Sequence, residues 1–260
     1  MNSKLYIILF FVIFNLLKLN AQDVSKIKLL NSQNGLSNGR VTSIIQDSLG
    51  FMWFGTKNGL NRYDGTSVKI YNNRNSDLKS NDISVLKIDT KNRFWIGTIG
   101  KGIVIYNAKK DKFNSFNINA NINTVYEDSK NKIWIGTNKG LFVYNEDKVS
   151  FSILKDFNEL NVSTILEMDN SNLMIGTNGK GIYTFNLESQ KLTQILKENN
   201  LKPTFINVLY RLNADEILIG TNGNGLLKFS KKTNSLIPFM KDRISATIIR
   251  TIYTDNNNNL

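Results

Sequence analysis

One short motif recurs along the chain and limits its possible folds more than any other feature. Each of five copies ends in Gly-Thr after two large apolar residues, and successive motif glycines lie 39 to 44 residues apart. The glycines are Gly55, Gly97, Gly136, Gly176 and Gly220, and the first three copies carry Trp53, Trp95 and Trp134. So regular an internal repeat predicts one small structural unit copied in tandem.

Each repeat contains four short runs of β-branched and aromatic residues, separated by clusters of Asn, Gly and Asp. In the second repeat the runs are Ile83–Asp89, Trp95–Thr98, Ile103–Tyr106 and Phe113–Phe116. This pattern is typical of antiparallel strands joined by tight turns. No segment keeps a helical apolar period for three turns, so we expect almost no helix. Four strands per repeat predict an all-β fold, a β-propeller built from four-stranded antiparallel blades.

The spacing of the runs also predicts where each blade lies. Complete blades are expected near residues 41–80, 82–118, 121–154, 161–196 and 205–240, with the start of a sixth at 247–260. The sequence stops one residue short of the next motif tryptophan position, so we interpret it as a truncated part of a larger ring. Ile27–Leu30 is predicted to be an outer strand that helps to close that ring.

The motif residues themselves are expected to be structural. The glycine is expected to let neighbouring backbones approach near the central channel. The tryptophan is expected to fill the gap between adjacent blades. Met174 and Leu218 replace it in the fourth and fifth repeats, which favours a packing role over contact with a ligand.

The first residues indicate export. A basic start at Met1–Lys4 precedes the apolar run Leu5–Leu17, which is shorter than the roughly 20 residues that a spanning helix needs. These features predict a signal peptide over residues 1–21, cleaved after Ala21, and a mature propeller over 22–260 on the periplasmic or extracellular side.

The absence of two residue types excludes several kinds of chemistry. The chain has no cysteine and no histidine, which rules out disulfides, thiolate zinc sites, a Ser-His-Asp triad and a phosphoaccepting histidine within it. Asp89–Asn92 and Asp128–Asn131 lack the full pattern of a calcium loop. Gly176–Gly181 lacks that of a phosphate loop and is interpreted as a hairpin turn. We therefore expect no catalytic residues, no metal site and no cofactor.

The charge pattern points to one candidate binding surface. The net charge is +12, but the lysines are scattered without a basic run, so we do not expect nucleic acid binding. One polar position recurs in the turn after each motif, and its five residues should form a partial ring that meets sugar hydroxyls or carboxylates. Turn chemistry and solubility are the alternative explanation. The five residues are Asn58, Lys101, Lys139, Lys180 and Asn224.

The first repeat carries a family resemblance. Its segments Asn34–Asn38, Gly50–Thr56 and Asn58–Gly65 closely resemble the opening blade of the two-component regulator propeller family. That resemblance implies the extracellular sensor of a bacterial hybrid histidine kinase, usually with seven-bladed propellers followed by a membrane helix and a kinase. It also implies an oligosaccharide ligand, a homodimer formed through the sensor, and membrane attachment only through downstream segments.

Two other functions stay open at this point. The chain could be a secreted propeller that acts in adhesion or assembly without signalling. It could also be a propeller glycosidase or lyase, because 21 acidic residues leave room for a catalytic carboxylate pair. A ligand-sensing role fits the family resemblance better than either alternative.

Overall fold

The computed structural model describes residues 29–195 and 205–255. These residues contain twenty strands in five antiparallel sheets. The sheets belong to a unit that begins at Asn31. The predicted signal peptide, residues 256–260, and Ile27 and Lys28 of the predicted closing strand lie outside the described residues. Leu29 and Leu30 are described and belong to no strand.

Each sheet contains four strands that are consecutive in the sequence, and we number the sheets as blades 1 to 5. Blade 1 consists of β1 (Val41–Gln46), β2 (Met52–Thr56), β3 (Gly59–Tyr63) and β4 (Val68–Tyr71). Blade 2 consists of β5 (Ile83–Ile88), β6 (Phe94–Thr98), β7 (Ile103–Asn107) and β8 (Lys112–Phe116). Blade 3 consists of β9 (Ile122–Glu127), β10 (Ile133–Thr137), β11 (Gly140–Asn145) and β12 (Ser150–Ile153).

The last two blades repeat the same order. Blade 4 consists of β13 (Val162–Asp169), β14 (Asn172–Thr177), β15 (Ile182–Asn186) and β16 (Leu192–Ile195). Blade 5 consists of β17 (Ile206–Arg211), β18 (Glu216–Thr221), β19 (Leu226–Ser230) and β20 (Ser235–Pro238). Among the described residues the helical content is one 3-10 turn at Lys155–Phe157. None of them forms a helix with the length and apolar content needed to cross a bilayer.

The first strand of each blade is the innermost, because it contacts the first strand of the next blade. Thus β1 meets β5, β5 meets β9, β9 meets β13 and β13 meets β17. The fourth strand lies at the outer edge of its sheet. Sheets stacked in sequence order around an axis form a β-propeller, so the predicted fold class is confirmed.

The motif glycine makes room for a side chain, which corrects the expectation of a close approach between backbones. A Cβ added to Gly97 would lie 2.5 Å from Cγ1 of Val85 in its own blade and 2.7 Å from Cγ2 of Ile122 in blade 3. From β5 onward, the first residue of each innermost strand therefore fills the space above the glycine of the preceding blade, and we call this residue the plug. The same plug is made by Ile83, Val162, Ile206 and, beyond the last strand, Ile249.

A β-bulge at the second residue of each innermost strand links one blade to the next. A bulge re-aims a side chain, and every bulged residue except Ser84 donates a hydrogen bond to the main-chain carbonyl of the next plug. Thr42 Oγ1 donates to Ile83 O at 2.7 Å, and Asn123 Nδ2 to Val162 O at 2.8 Å. Ser163 and Asn207 do the same toward Ile206 and Ile249.

The tryptophans lie between blades, as expected. The ring of Trp53 packs against Phe94 and Tyr106 of blade 2, with centroids 4.9 and 5.3 Å away. Trp134 packs against Phe185 of blade 4 at 6.2 Å. All three motif tryptophans are at most 1% exposed. Their role is therefore to fill the space between blades.

Candidate functional site

Two kinds of loop meet at one end of every blade, and we call this end the turn face. They are the turn between the second and third strands and the segments that connect successive blades. In blade 2, Ile99 N donates to Asp82 O at 2.9 Å, just before β5. Gly100 N donates to Asn121 Oδ1 at 2.8 Å, just before β9 of the next blade. These bonds confirm that both kinds of loop share a face.

The motif threonine fixes each turn on this face. Thr137 Oγ1 donates to Gly140 O at 2.9 Å and accepts from Lys139 N at 3.0 Å. Thr177 and Thr221 hold Lys180 and Asn224 through the same acceptor atom. These threonines are fully buried. Each one therefore anchors the main chain of the turn residue that it binds, while the side chain of that residue faces solvent.

All five predicted binding residues occupy this position, and all five are exposed. They lie on five successive blades at the same end of the molecule, which agrees with a ring arrangement. They are not gathered into a single pocket. Within the described residues, Lys101, Lys139 and Lys180 form no ion pair. Their ammonium groups are therefore available to a ligand.

The turn face carries more positive charge than the opposite face. Its described loops up to Thr247 hold ten basic and five acidic residues, whereas the loops at the opposite ends of the strands hold ten basic and nine acidic. Such an excess attracts anions. The basic residues of the turn face are Arg40, Lys57, Arg74, Lys79, Lys101, Lys139, Lys155, Lys180, Lys241 and Arg243.

A cavity opens on the turn face beside Asn224. Its volume is about 290 Å³, and Phe239, Lys241 and Ser245 also line it. An aromatic ring, an amide, an ammonium group and a hydroxyl are groups that together can hold a pyranose ring by stacking and hydrogen bonds. Residues after β20 supply most of this lining, and no repeat pattern in the sequence marks them. Their spacing therefore gave no signal for the cavity.

Three aspartates of the opposite face each bind a turn and a tryptophan. Asp128 accepts hydrogen bonds from the backbone N–H groups of Lys130 and Lys132 and from Nε1 of Trp134, at 2.8 to 3.0 Å. Asp47 and Asp89 bind their own tryptophans in the same way. The aspartates thus open turns as predicted, and they also anchor the tryptophan six residues later.

Four carboxyl groups in the described residues have pKa values lowered by their neighbours, the opposite of the shift that a general acid needs. Lys69 and Tyr106 lower the pKa of Asp111 to about 2 through hydrogen bonds. Hydrogen bonds from Ser67 and Thr66 hold the pKa of Asp64 below its usual range. The pKa values of Glu146 and Glu216 are lowered by Lys91 and Lys228. The described residues also contain no group of three carboxylates that could hold a metal ion.

Two segments of the chain, residues 35–58 and 116–139, match the family model of the two component regulator propeller. A further match covers 47 residues at 47% identity with Histidine kinase P4 of Formosa agariphila. It includes 18% of this chain and 3% of that relative. The sequence match is therefore local, and that relative is a much longer protein than this chain.

Two solved structures illustrate the fold. The extracellular domain of the hybrid two component system BT3049 from B. thetaiotaomicron has a TM-score of 0.71 and 24% identity, covering 81% of this chain and 31% of that chain. Virginiamycin B lyase from Staphylococcus aureus has a TM-score of 0.62 and 16% identity, covering 82% of this chain and 72% of that chain. This chain thus spans less than a third of the first structure. At these identities, both show that the propeller fold is shared.

Proposed function

We propose that this chain, which carries two component regulator propeller repeats, is the ligand-binding propeller of an exported sensor and recognises an acidic oligosaccharide on its turn face. The family match and the fold shared with an extracellular domain of a hybrid two component system support a sensing role. The predicted signal peptide supports a location outside the cytoplasm. Any downstream kinase and membrane segment belong to the same proposal.

The observation that carries the ligand class is the set of exposed lysines repeated on successive blades. These are Lys101, Lys139 and Lys180. Each lies in a turn that a buried threonine closes, and none has a partner carboxylate in the described residues. A ligand with repeated carboxylates can contact several of them together. An exposed ion pair contributes about 0.5 kcal/mol, so affinity for such a ligand comes from the sum of several contacts.

Binding without turnover is the form of activity we propose. The lyase that shares this fold is described as catalytically inactive in a histidine-to-alanine variant, and this chain contains no histidine. The carboxyl groups of Asp111, Glu146 and Glu216 have lowered pKa values, so these three are poor general acids. The conserved fold therefore supplies a rigid binding surface in this proposal, with no reaction at it.

Calorimetric titration with a uronate tetrasaccharide tests the proposal. We expect Lys101→Ala, Lys139→Ala and Lys180→Ala together to weaken binding about tenfold, because three exposed contacts are lost. The matched control replaces Lys109, Lys130 and Lys148 on the opposite face with alanine, which changes the net charge by the same amount. We expect this control to bind as the unchanged chain does.

A neutral tetrasaccharide of the same length separates charge recognition from general sugar binding. Equal binding of both sugars, or equal weakening by the two triple variants, would contradict the proposed site. Release of shortened sugar over hours would contradict the absence of turnover and favour a lyase or hydrolase. If neither sugar binds while the chain attaches to cell surfaces, the adhesion alternative gains support.

A further inference from the structure

The outer edge of β8 is a strand edge without a partner strand among the described residues. Residues 112–116 pair with β7 on one side, with Tyr106 opposite Phe113 and Ile103 opposite Phe116. On the other side β8 is the last strand of its sheet. An unpaired edge presents main-chain N–H and C=O groups that can bind another strand.

Two grooves adjoin this edge. One has a volume of about 310 Å³ and lies between Lys69–Tyr71 of blade 1 and Lys110–Phe113. The other has a volume of about 520 Å³ and is lined by Phe113–Phe116, Asp77, Lys79 and Val149. The grooves share Asp77 and Phe113, so they form a continuous depression along β8.

The residues of β8 alternate between the two neighbouring blades. Phe113 packs toward blade 1, with its ring centroid 5.3 Å from that of Tyr71. Phe116 packs toward blade 3, at 5.3 Å from Phe151. A strand added along β8 would therefore direct its own alternate side chains toward blade 1 and toward blade 3.

The blade 1 side of the depression is basic. Lys69 and Lys110 line it together with Asp77 and Asp111, and Lys79 from the connection after blade 1 lines the adjoining groove. Asp111 accepts hydrogen bonds from Lys69 Nζ at 2.8 Å and from the hydroxyl group of Tyr106 at 2.7 Å. An acidic side chain is the complementary partner for the remaining ammonium groups.

On the blade 3 side, an exposed apolar residue has a main-chain conformation that is unfavourable for its residue type. Val149 has a φ of 47° and is 53% exposed. The same turn position in blades 2, 4 and 5 is taken by Asp111, Gln190 and Asn234, with φ values of 48° to 57°. A β-branched residue is disfavoured in this conformation. An exposed valine held there suggests a contact made by its side chain.

We infer that β8 binds an extended peptide segment as a fifth strand of blade 2. The peptide has alternating acidic and apolar side chains, the acidic ones facing Lys79 and Lys110 and the apolar ones facing Val149. Main-chain hydrogen bonds to the strand edge supply affinity, and the two grooves supply the side-chain preference. This site lies on the rim of the propeller and goes beyond the proposed glycan surface on the turn face.

The probe is a capped, fluorescein-labelled hexapeptide of alternating glutamate and valine, titrated into the full chain and followed by anisotropy. We expect saturable binding with a Kd on the order of 100 μM, together with slowed amide exchange confined to β8. A lysine–valine peptide of the same length should bind at least about tenfold more weakly, because it meets like charges.

Two variants separate the contact from the fold. Val149→Asn should raise the unfolding temperature, since asparagine tolerates this φ, yet weaken the peptide about threefold. A Glu-Val peptide methylated on alternate backbone nitrogens should bind about tenfold more weakly when the blocked N–H groups face β8. Lys232→Ala in the turn between β19 and β20 of blade 5 serves as the control variant and should leave the peptide affinity unchanged.

The inference is wrong if Val149→Asn binds the peptide as tightly as the unchanged chain does, or if both methylated registers bind normally. Slowed exchange outside β8 would also overturn it. If amide exchange in β8 slows as the chain concentration rises in the absence of peptide, the edge binds a second copy of the chain and the inference is also wrong. None of these outcomes depends on sugar binding, so the proposed glycan site is tested separately.

Discussion

Asp128 illustrates how a single side chain joins a turn to the packing between blades. One carboxylate oxygen accepts two backbone N–H groups of the turn, and the other accepts Nε1 of the buried Trp134. In blade 4 the corresponding Asp169 has no indole to bind, because Met174 occupies the tryptophan position. Asp169 accepts hydrogen bonds from Ser171 N and Asn172 Nδ2. The two aspartates therefore provide a natural comparison.

We expect Asp128→Ala to lower the free energy of unfolding by about 2–3 kcal/mol, because it leaves three donors without their acceptor in a buried place. Asp169→Ala should cost less than about 1 kcal/mol, since its partners are near solvent. Urea denaturation followed by tryptophan fluorescence measures both. Similar losses in the two variants would mean that the indole bond contributes little.

Ser84 is the exception among the bulged residues that link blades. Its hydroxyl group is buried and has no hydrogen-bond partner among the described residues. Asn123, at the corresponding position of blade 3, reaches the next plug carbonyl with its longer side chain. The serine in blade 2 therefore leaves an interaction unmade.

Ser84→Asn should raise the free energy of unfolding by about 1 kcal/mol by completing this bond to Ile122 O. Ser84→Ala should change it little, because the hydroxyl group that it removes is unpaired. Thermal unfolding of the unchanged chain and of the two variants ranks their stabilities. An asparagine variant less stable than the alanine variant would show that this interface lacks room for the longer side chain.

At the scale of the blade, the plug over the motif glycine sets how closely successive sheets approach. Val85 comes from the same sheet and Ile122 from the next, and both occupy the space that a Cβ on Gly97 would need. Glycine is required there by side-chain crowding, because its φ is not in the left-handed region. The constraint is therefore one of packing between elements.

Gly97→Ala should destabilise the fold by about 1–3 kcal/mol through overpacking. Gly39→Ala is the control, since a Cβ there meets nothing within 4 Å and the φ of Gly39 is not positive. We expect that control to be neutral or slightly stabilising, because alanine restricts the unfolded chain. Denaturant titration distinguishes them, and equal stability of both variants would contradict the plug.

At the scale of the whole molecule, contacts between innermost strands join each blade to its sequence neighbours. Stability in such an arrangement is close to a sum of terms for blades and for the interfaces between neighbours. Ser163 and Arg211 both bind carbonyl groups across the interface of blades 4 and 5. Thr42 acts at the interface of blades 1 and 2.

Thr42→Val and Ser163→Ala should therefore have additive effects on the free energy of unfolding, within about 0.5 kcal/mol. Ser163→Ala combined with Arg211→Met should depart from additivity, because both residues act at one interface. Double-mutant cycles measured in urea provide the test. Coupling between the two distant substitutions would show that strain spreads through the intervening blades.

The sequence predicted the propeller, the tryptophan packing and the turn positions of Lys101, Lys139 and Lys180, because all of these follow a repeat. The bulge contacts escaped prediction, since their acceptor is a main-chain carbonyl that no residue type marks. The cavity beside Asn224 and the groove along β8 also escaped, because non-repeating residues such as Phe239 and Asp77 help to form them.

The bulge contacts have a consequence for how this kind of protein can change over generations. Each bulged side chain apart from that of Ser84 recognises a peptide carbonyl, and every residue type offers that group. One blade can therefore follow another without a matching partner sequence. Duplication, loss or exchange of a blade should leave the joint chemically intact, and a surface assembled from such interchangeable parts can acquire a new ligand by rearrangement as well as by substitution.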